Sequence, residues 1–193
     1  MKNKLLLMTL SLFLLSCTAI QEENQSEVDS FMVAAWTGGG IAETEAEWRE
    51  KLANFSEHGL SDLFLSAEIE ETIQVVEWAQ DYSINIHAWV WTLNRPGDTT
   101  AAKNPEWYAV NRNGDNSYDY RAYVNYYQWL SPFSPGAREY ITSKMISYAD
   151  IPGLTSVHLD YVRYVDVILG ADLQPKYDLV QDRQFAEYDY GYH

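Results

Sequence analysis

Residues 84–91 read Ile-Asn-Ile-His-Ala-Trp-Val-Trp, and residues 155–161 read Thr-Ser-Val-His-Leu-Asp-Tyr. Both segments are typical of strands because apolar, β-branched and aromatic residues fill them. In the first segment, aliphatic side chains alternate with the polar-aromatic series His87, Trp89 and Trp91. The aliphatic face of such a strand packs on helices in an α/β protein. The other face is therefore expected to point into a barrel or a crevice.

Further strands and helices alternate on both sides of these segments. Thr44 and Glu47 form a predicted capping box at one helix start, and Ser134 followed by Pro135 is typical of another. The four predicted strands are 30–36, 62–66, 84–91 and 155–161. The three predicted helices run from Thr44 to Gly59, from Ile69 to Tyr82 and from Ser134 onward, and a long segment, 92–134, separates the third strand from the third helix. The predicted apolar stripes of the helices are Trp48, Leu52 and Phe55; Ile69, Ile73 and Val76; and Ala137, Ile141, Met145 and Tyr148.

This alternation predicts an α/β fold with a parallel sheet, because right-handed crossovers join strand to helix to strand. It is the content of the first four βα units of a parallel (β/α) barrel of TIM type. A complete barrel takes ~250 residues, and this chain has 193. We therefore expect residues 30–193 to form the N-terminal part of a larger, here incomplete, barrel. A small open sheet that is complete in itself is the alternative.

The amino terminus has the pattern of a targeting segment. Residues 1–16 hold a basic start and an apolar run too short to span a bilayer, which needs ~20 residues. The sequence Leu-Leu-Ser-Cys that ends at Cys17 resembles the lipobox of bacterial lipoproteins, whose cysteine is acylated and becomes the mature amino terminus. The resemblance implies a signal peptide at 1–16, an acidic tether at 17–29 and a lipid anchor on Cys17. An ordinary signal peptide with an incidental cysteine is the alternative.

Composition excludes several classes of function. Asp and Glu total 28 against 13 Lys and Arg, a net charge of −15, so a nucleic acid partner is not expected. A single cysteine rules out an internal disulfide and a cysteine zinc site. The sequence also lacks the motifs G-x-S-x-G, G-x-x-x-x-G-K, H-E-x-x-H and G-x-G-x-x-G. No cofactor and no metal is therefore predicted.

Functional residues of parallel sheets lie at the carboxyl ends of the strands. Asp160 is the leading candidate there, because such a carboxylate can protonate a leaving oxygen, attack a sugar carbon or activate a water. An ion pair between Asp160 and Arg163 that only holds the loop is the alternative. Trp91 is a candidate stacking platform for a sugar ring. The expected substrate-binding residues are Trp36, His87, Trp91, Asn94, His158, Tyr161 and Arg163.

Four blocks together resemble one family. The blocks "HAW" at 87–89, "NPEW" at 104–107, "LSP" at 130–132 and "HLDYVRY" at 158–164 are similar to the family-10-like glycosyl hydrolases, which are bacterial TIM-barrel proteins and often lipoproteins. The resemblance implies hydrolysis of glycosidic bonds in a polysaccharide or oligosaccharide. It also implies that Asp160 corresponds to the acid of strand four, while a second carboxylate comes from a later strand.

The expected function is that of a glycoside hydrolase anchored to the membrane of a bacterial cell envelope through Cys17, on the periplasmic or the outer surface. The alternative is a carbohydrate-binding lipoprotein without catalysis, or an inactive truncated fragment of such an enzyme. Four strands of a barrel leave two unpaired edges. Self-association of the truncated form is therefore expected.

Overall fold

The computed structural model describes residues 31–42, 44–121, 124–165 and 170–178. Four strands form one parallel sheet in the order β1-β2-β3-β4. They are β1 Ala34–Gly38, β2 Asp62–Ser66, β3 Asn85–Trp91 and β4 Ser156–Asp160. Within the described ranges β1 pairs only with β2, and β4 pairs only with β3, so the sheet has two free edges and is open. The predicted α/β class and parallel sheet are confirmed, and the barrel is not closed.

Three helices alternate with the strands: α1 Glu45–Glu57, α2 Ile69–Ala79 and α3 Pro135–Ala149. Short 3₁₀ turns occupy Gly39–Ile41, Gln80–Tyr82, Ala101–Lys103, Pro105–Trp107 and Gln174–Tyr177. No helix among the described residues is long and apolar enough to cross a bilayer.

Local sequence explains where the helices begin and end. At the start of α1 the Glu47 amide donates to the Thr44 hydroxyl and the Thr44 amide donates to the Glu47 carboxylate, so the predicted capping box is confirmed. Gly59 follows α1 with a φ of 81°, a left-handed conformation that glycine adopts without steric cost. At α3 the Ser134 hydroxyl accepts from the Ala137 amide and Pro135 takes the first helical position, as predicted.

The main core lies between the helices and one face of the sheet. Ile86, Ala88 and Val90 of β3 are buried there, which confirms that the aliphatic face of this strand packs on helices. The predicted stripe of α2 is wrong at Ile73, which is 44% exposed. The residues that α2 buries are Thr72, Val75, Val76 and Ala79. Their spacing of i, i+3, i+4 and i+7 is a single helical face, and Ile73 lies beside it.

The first strand begins and ends later than its apolar run suggests. The prediction was 30–36, whereas β1 pairs with β2 from Ala34 through Gly38. The difference arises because Thr37 and Gly38 continue the ladder opposite Leu65 and Ser66, and the chain turns only at Gly39. Trp36 therefore lies in the middle of its strand and not at the end.

The long segment 92–134 packs through two apolar clusters that are separate from the main core. One contains Ala109, Val124, Tyr127, Trp129 and Val165, and the other contains Ala101, Tyr108, Leu130, Ala137 and Ile141. The second cluster includes residues of α3 and so joins the segment to the sheet layer. Asp98 strengthens this junction, because its carboxylate accepts from the Arg95 guanidinium at 2.8 Å and from the Tyr140 hydroxyl at 2.6 Å. Burial alone would raise the pKa of Asp98, but these bonds and that from the Ala101 amide lower it.

Candidate functional site

The face of the sheet opposite the helices carries polar and aromatic side chains in rows. Parallel register aligns Trp36, Phe64, His87 and Ser156 in one row, Trp89 with His158 in the next, and Trp91 with Asp160 in the last. The last row lies at the carboxyl ends of β3 and β4. Residues predicted to be functional are thus brought onto one face, but at three different depths along the strands.

Asp160 is the last residue of β4, and its carboxylate is held by two donors. One oxygen accepts from the Trp89 indole N–H at 3.1 Å, and the other accepts from the Tyr161 amide at 2.6 Å. Asp160 forms no ion pair with any residue that the structure describes. A carboxylate has about four lone-pair sites, so each oxygen keeps one for a further donor. The group is therefore oriented by the protein and still able to accept from a ligand.

Tyr161 follows Asp160 in a left-handed conformation with a φ of 53°. Such a conformation costs a non-glycine residue energy and is found at functional sites more often than elsewhere. The ring of Tyr161 meets the ring of Trp91 edge to face at 4.9 Å. Burial, followed by the neighbouring phenols of Tyr126 and Tyr127, raises the pKa of Tyr161 to about 12. The hydroxyl of Tyr161 therefore stays protonated at ordinary pH.

Arg163 lies against the aromatic residues of this corner. Its guanidinium carbon is 5.4 Å from the ring centroid of Trp129 and 5.4 Å from that of Tyr161, the geometry of cation–π contacts. It also donates to the Tyr164 carbonyl at 2.9 Å. These contacts place Arg163 as a support for the Tyr161 ring, and they differ from the loop-holding ion pair with Asp160 that the sequence left open.

His87 lies two rows deeper than Asp160 and is buried in a polar network near the amino ends of the strands. Its Nε2 is 2.9 Å from the Asp62 carboxylate, and its Nδ1 is 2.7 Å from the Ser156 hydroxyl. An ionised carboxylate only accepts, so Nε2 carries the hydrogen that bonds Asp62. Both ring nitrogens are thus used within the protein. A substrate contact by His87 remains a prediction, and the network itself orders β2, β3 and β4.

His158 and Trp36 meet across the same face. The ring of His158 approaches Phe64 edge to face at 5.0 Å and Trp36 at 6.2 Å. Trp36 stacks on Phe64 at 4.7 Å and is 55% exposed, which leaves a broad indole surface open. This open surface lies below the carboxyl ends of the strands, so Trp36 does not share the depth of Asp160.

Asn94 has a position that its sequence neighbours did not reveal. It is 0% exposed, and its side-chain oxygen accepts from the Gln128 amide at 3.0 Å. This bond joins the two ends of the long segment, beside the bridge between Asn94 and Trp129. The side-chain amide nitrogen of Asn94 is buried with no hydrogen-bond partner among the described residues. The observed role of Asn94 is to anchor the loop, and its predicted contact with substrate stays a prediction.

Three residues of the site escaped the sequence analysis. The sequence places Asp62 only at the start of a strand and Trp89 only on the polar-aromatic face of another, and it does not single out Tyr126. Tyr126 lies 6.1 Å from Trp91, ring centroid to ring centroid, and is 41% exposed.

Within the described ranges no three His, Cys, Asp or Glu side chains are grouped as metal ligands. Cys17, the signal segment and the tether lie outside the described residues.

No family model and no curated protein matches this chain. Three solved structures are similar to it. A hypothetical protein from Ruminiclostridium thermocellum ATCC 27405 has 12% identity and a TM-score of 0.56, over 68% of this chain and 77% of that one. A noncanonic maltogenic alpha-amylase from Thermotoga neapolitana has 12% identity and a TM-score of 0.55, over 76% of this chain and 42% of that one.

The third is a polyextremophilic beta-galactosidase from the Antarctic haloarchaeon Halorubrum lacusprofundi, with 15% identity and a TM-score of 0.50, over 67% of this chain and 20% of that one. This chain therefore spans less than half of either named enzyme. At such identities the likeness shows the fold alone. The described residues form an open, parallel four-stranded sheet with helices, and this fold is similar to part of those two glycosidase structures, as expected of a partial barrel.

Proposed function

We propose that this chain is part of a glycoside hydrolase that is anchored in a bacterial cell envelope through Cys17, and that residues 30–193 form the first four βα units of its barrel. One observation carries the catalytic part of the proposal. Asp160 stands at the carboxyl end of β4 with its carboxylate oriented by Trp89 and Tyr161, and Trp91 is its register partner on β3. An oriented carboxylate beside an aromatic platform suits a glycosidic bond, because the sugar ring stacks while its linkage oxygen meets the acid.

The reaction requires two carboxyl groups. Asp160 supplies one, as nucleophile or as acid and base, and their separation sets the stereochemistry: ~5–5.5 Å for retention and ~6.5–9.5 Å for inversion. Glu68 and Glu71 also lie near the strand ends, but both belong to the start of α2. A Cβ atom on Gly39 would overlap the Glu71 carboxylate, so that group is packed against the β1 turn. We assign the second acid to a later strand.

A second function is a carbohydrate-binding lipoprotein without catalysis. The observation that favours it is the set of exposed or half-buried rings of Trp36, Trp91 and Tyr126, which can hold a sugar without any second acid. The two functions differ in whether a bond is broken. Both functions require a carbohydrate ligand that binds on the same face of the sheet.

The protein that carries the complete barrel, including the later strands to which the second acid is assigned, distinguishes the two when it is incubated with a panel of neutral polysaccharides and their oligosaccharides. Release of new reducing ends, checked by mass spectrometry of the products, supports the hydrolase. Binding in calorimetry without any release supports the binding protein. Neither binding nor release across the panel contradicts both.

Trp91→Ala is expected to weaken oligosaccharide binding by about 1 kcal/mol, or about fivefold, because one stacking contact is lost. Isothermal calorimetry with an oligosaccharide that the wild type binds measures the change. Phe133→Ala is the matched control, since Phe133 is an aromatic residue of the segment 92–134 that follows β3 and is 60% exposed. Equal affinities of the wild type and Trp91→Ala would make Trp91 a packing residue.

Cys17→Ser is expected to move the protein from the membrane fraction to the soluble fraction of bacterial cells. Thiol acylation supplies the chains that hold a lipoprotein in the bilayer, and two or more chains are needed for stable anchoring. Cell fractionation with immunoblotting measures the distribution. Ser16→Ala, which keeps the cysteine and a small residue before it, is the control that should remain with the membrane. Retention of Cys17→Ser in the membrane would contradict the anchor.

A further inference from the structure

Two clefts open near the carboxyl ends of the strands. The first, about 430 Å³ in volume, lies over β1, β2 and β3 and is lined by Ser66, Glu68, Trp91 and Pro96 among others. The second, about 650 Å³ in volume, lies within the long segment 92–134. Both volumes fall in the range of binding clefts for small organic ligands, ~300–1,000 Å³.

The second cleft has the surface of a sugar site. Tyr118 and Tyr126 provide aromatic walls, and Thr99, Asn125 and Arg121 add polar groups to its lining. Sugars need this combination, because their C–H faces stack on rings while their hydroxyls take hydrogen bonds.

The two clefts meet at one ridge. Pro96 lines both of them, Trp91 lines the first and Tyr126 lines the second. The rings of Trp91 and Tyr126 are 6.1 Å apart, centroid to centroid, so little separates the two sides. Asp160 lines neither cleft, but it is the register partner of Trp91 on the neighbouring strand, so the candidate acid lies next to one residue of the ridge.

We infer that one glycan chain occupies both clefts across the ridge of Trp91 and Tyr126, so that the site holds an internal stretch of a polysaccharide and not a single terminal sugar. This inference rests on the proposed function, since it assumes a carbohydrate ligand. It adds the substrate class: a polymer that extends on both sides of the bond next to Asp160.

Charge favours a neutral polymer. The net charge of −15 repels an anionic chain, and Glu68 and Glu71 line the first cleft. Two of the cations that line the clefts donate within the protein: Arg95 to Asp98 at 2.8 Å and Arg121 to the Asn125 carbonyl at 2.6 Å. Lys144 also lines the first cleft, which it shares with Glu68 and Glu71.

Ligand length tests the inference. Isothermal calorimetry is carried out with cello-, xylo-, chito- and malto-oligosaccharides of two and of six sugars. In at least one series the longer ligand is expected to bind wild type about tenfold more tightly, since the second cleft adds contacts. Tyr126→Ala is expected to remove most of that gain, about fivefold, and to leave the affinity for the two-sugar ligand nearly unchanged.

Two further variants make the result specific. Tyr120→Ala is the matched control, because Tyr120 belongs to the same loop and is 41% exposed like Tyr126, yet lines neither cleft. Tyr126→Phe keeps the ring and should bind as the wild type does. Circular dichroism and thermal melting check that each variant folds, and if Tyr126→Ala does not fold, Asn125→Trp serves as a blocking variant that should weaken only the six-sugar ligand.

The outcomes separate this inference from the proposed hydrolysis. Equal affinity for both lengths, equal behaviour of Tyr126→Ala and Tyr120→Ala, or no binding in any series would overturn it. Length-dependent binding without release of reducing ends by the protein that carries the complete barrel would refute hydrolysis and leave the extended site standing. Hydrolysis with no dependence on length would refute the extended site alone.

Discussion

In the protein that carries the complete barrel, replacing Asp160 by asparagine is expected to lower the turnover of a glycan substrate by at least about a hundredfold, because proton transfer or nucleophilic attack by a positioned carboxylate contributes ~10²–10⁴. Asparagine has the same shape but neither accepts a proton at neutral pH nor attacks a sugar carbon. Asp160 is half-buried at the end of an edge strand of the described sheet, so the helix-side core is untouched by the change.

The measurement is the initial rate of reducing-end release from the substrate that the wild type cleaves, with melting curves to show that the variant folds. Asp150→Asn is the matched control, since Asp150 is an exposed residue that caps the end of α3. Its rate should equal that of the wild type. Turnover of Asp160→Asn within a few-fold of the wild type would remove Asp160 from the mechanism.

Trp89→Phe tests whether the indole donor positions the acid. Phenylalanine keeps an aromatic ring in the row but removes the N–H that bonds Asp160 at 3.1 Å. Loss of one hydrogen bond to a charged group corresponds to roughly tenfold in kcat, while KM should hardly change. A merely structural role would instead lower the melting temperature and move KM and kcat together. In this proposal Trp89 is a positioning residue, and Asp160 is the group that touches substrate.

The sequence predicted the elements of the fold well because those elements depend on local patterns. The capping box at Thr44, the proline at the start of α3 and the alternation along β3 act over a few residues, and each is present as expected. The error at Ile73 arises because a local pattern does not show which side of a helix meets the sheet. The predicted stripe of α2 contains Ile73, whereas the face that the helix buries contains Thr72 and Val75.

The hydrogen-bond partners within the site could not be predicted in the same way, because they depend on the register between strands that are far apart in the sequence. Alternation shows that His87 and Asp160 share a face, but it does not show the depth at which each lies. The bond from Trp89 to Asp160 joins residues 71 positions apart, and that from His87 to Ser156 joins residues 69 apart. Both bonds cross the ladder between β3 and β4, and a shift of that ladder by one residue pair would have produced other partners.

Asp62→Ala is expected to reduce the free energy of unfolding by about 3 kcal/mol near neutral pH, because removing one partner from a buried polar network leaves the others unsatisfied. Asp62 is 6% exposed, and its carboxylate accepts from Ser61 at 2.5 Å, from His87 at 2.9 Å and from Asn85 at 3.1 Å. Urea unfolding measures the loss. Asp81→Ala is the control: Asp81 pairs with Arg49 on the surface, and such pairs contribute ~0–1 kcal/mol.

The same pair of proteins, wild type and Asp62→Ala, should converge in stability at low pH. Burial raises the pKa of Asp62, but the bonds from Ser61, His87 and Asn85 outweigh it, and the pKa lies below its ordinary value of 3.8. A carboxyl group with a lowered pKa stabilises the fold fully above pH 3.8 and loses that contribution as the pH falls through the folded-state pKa. Other carboxylates titrate in both proteins and cancel in the difference. A stability difference that stays constant below pH 3.8 would show that the charge of Asp62 does not hold β2, β3 and β4 together.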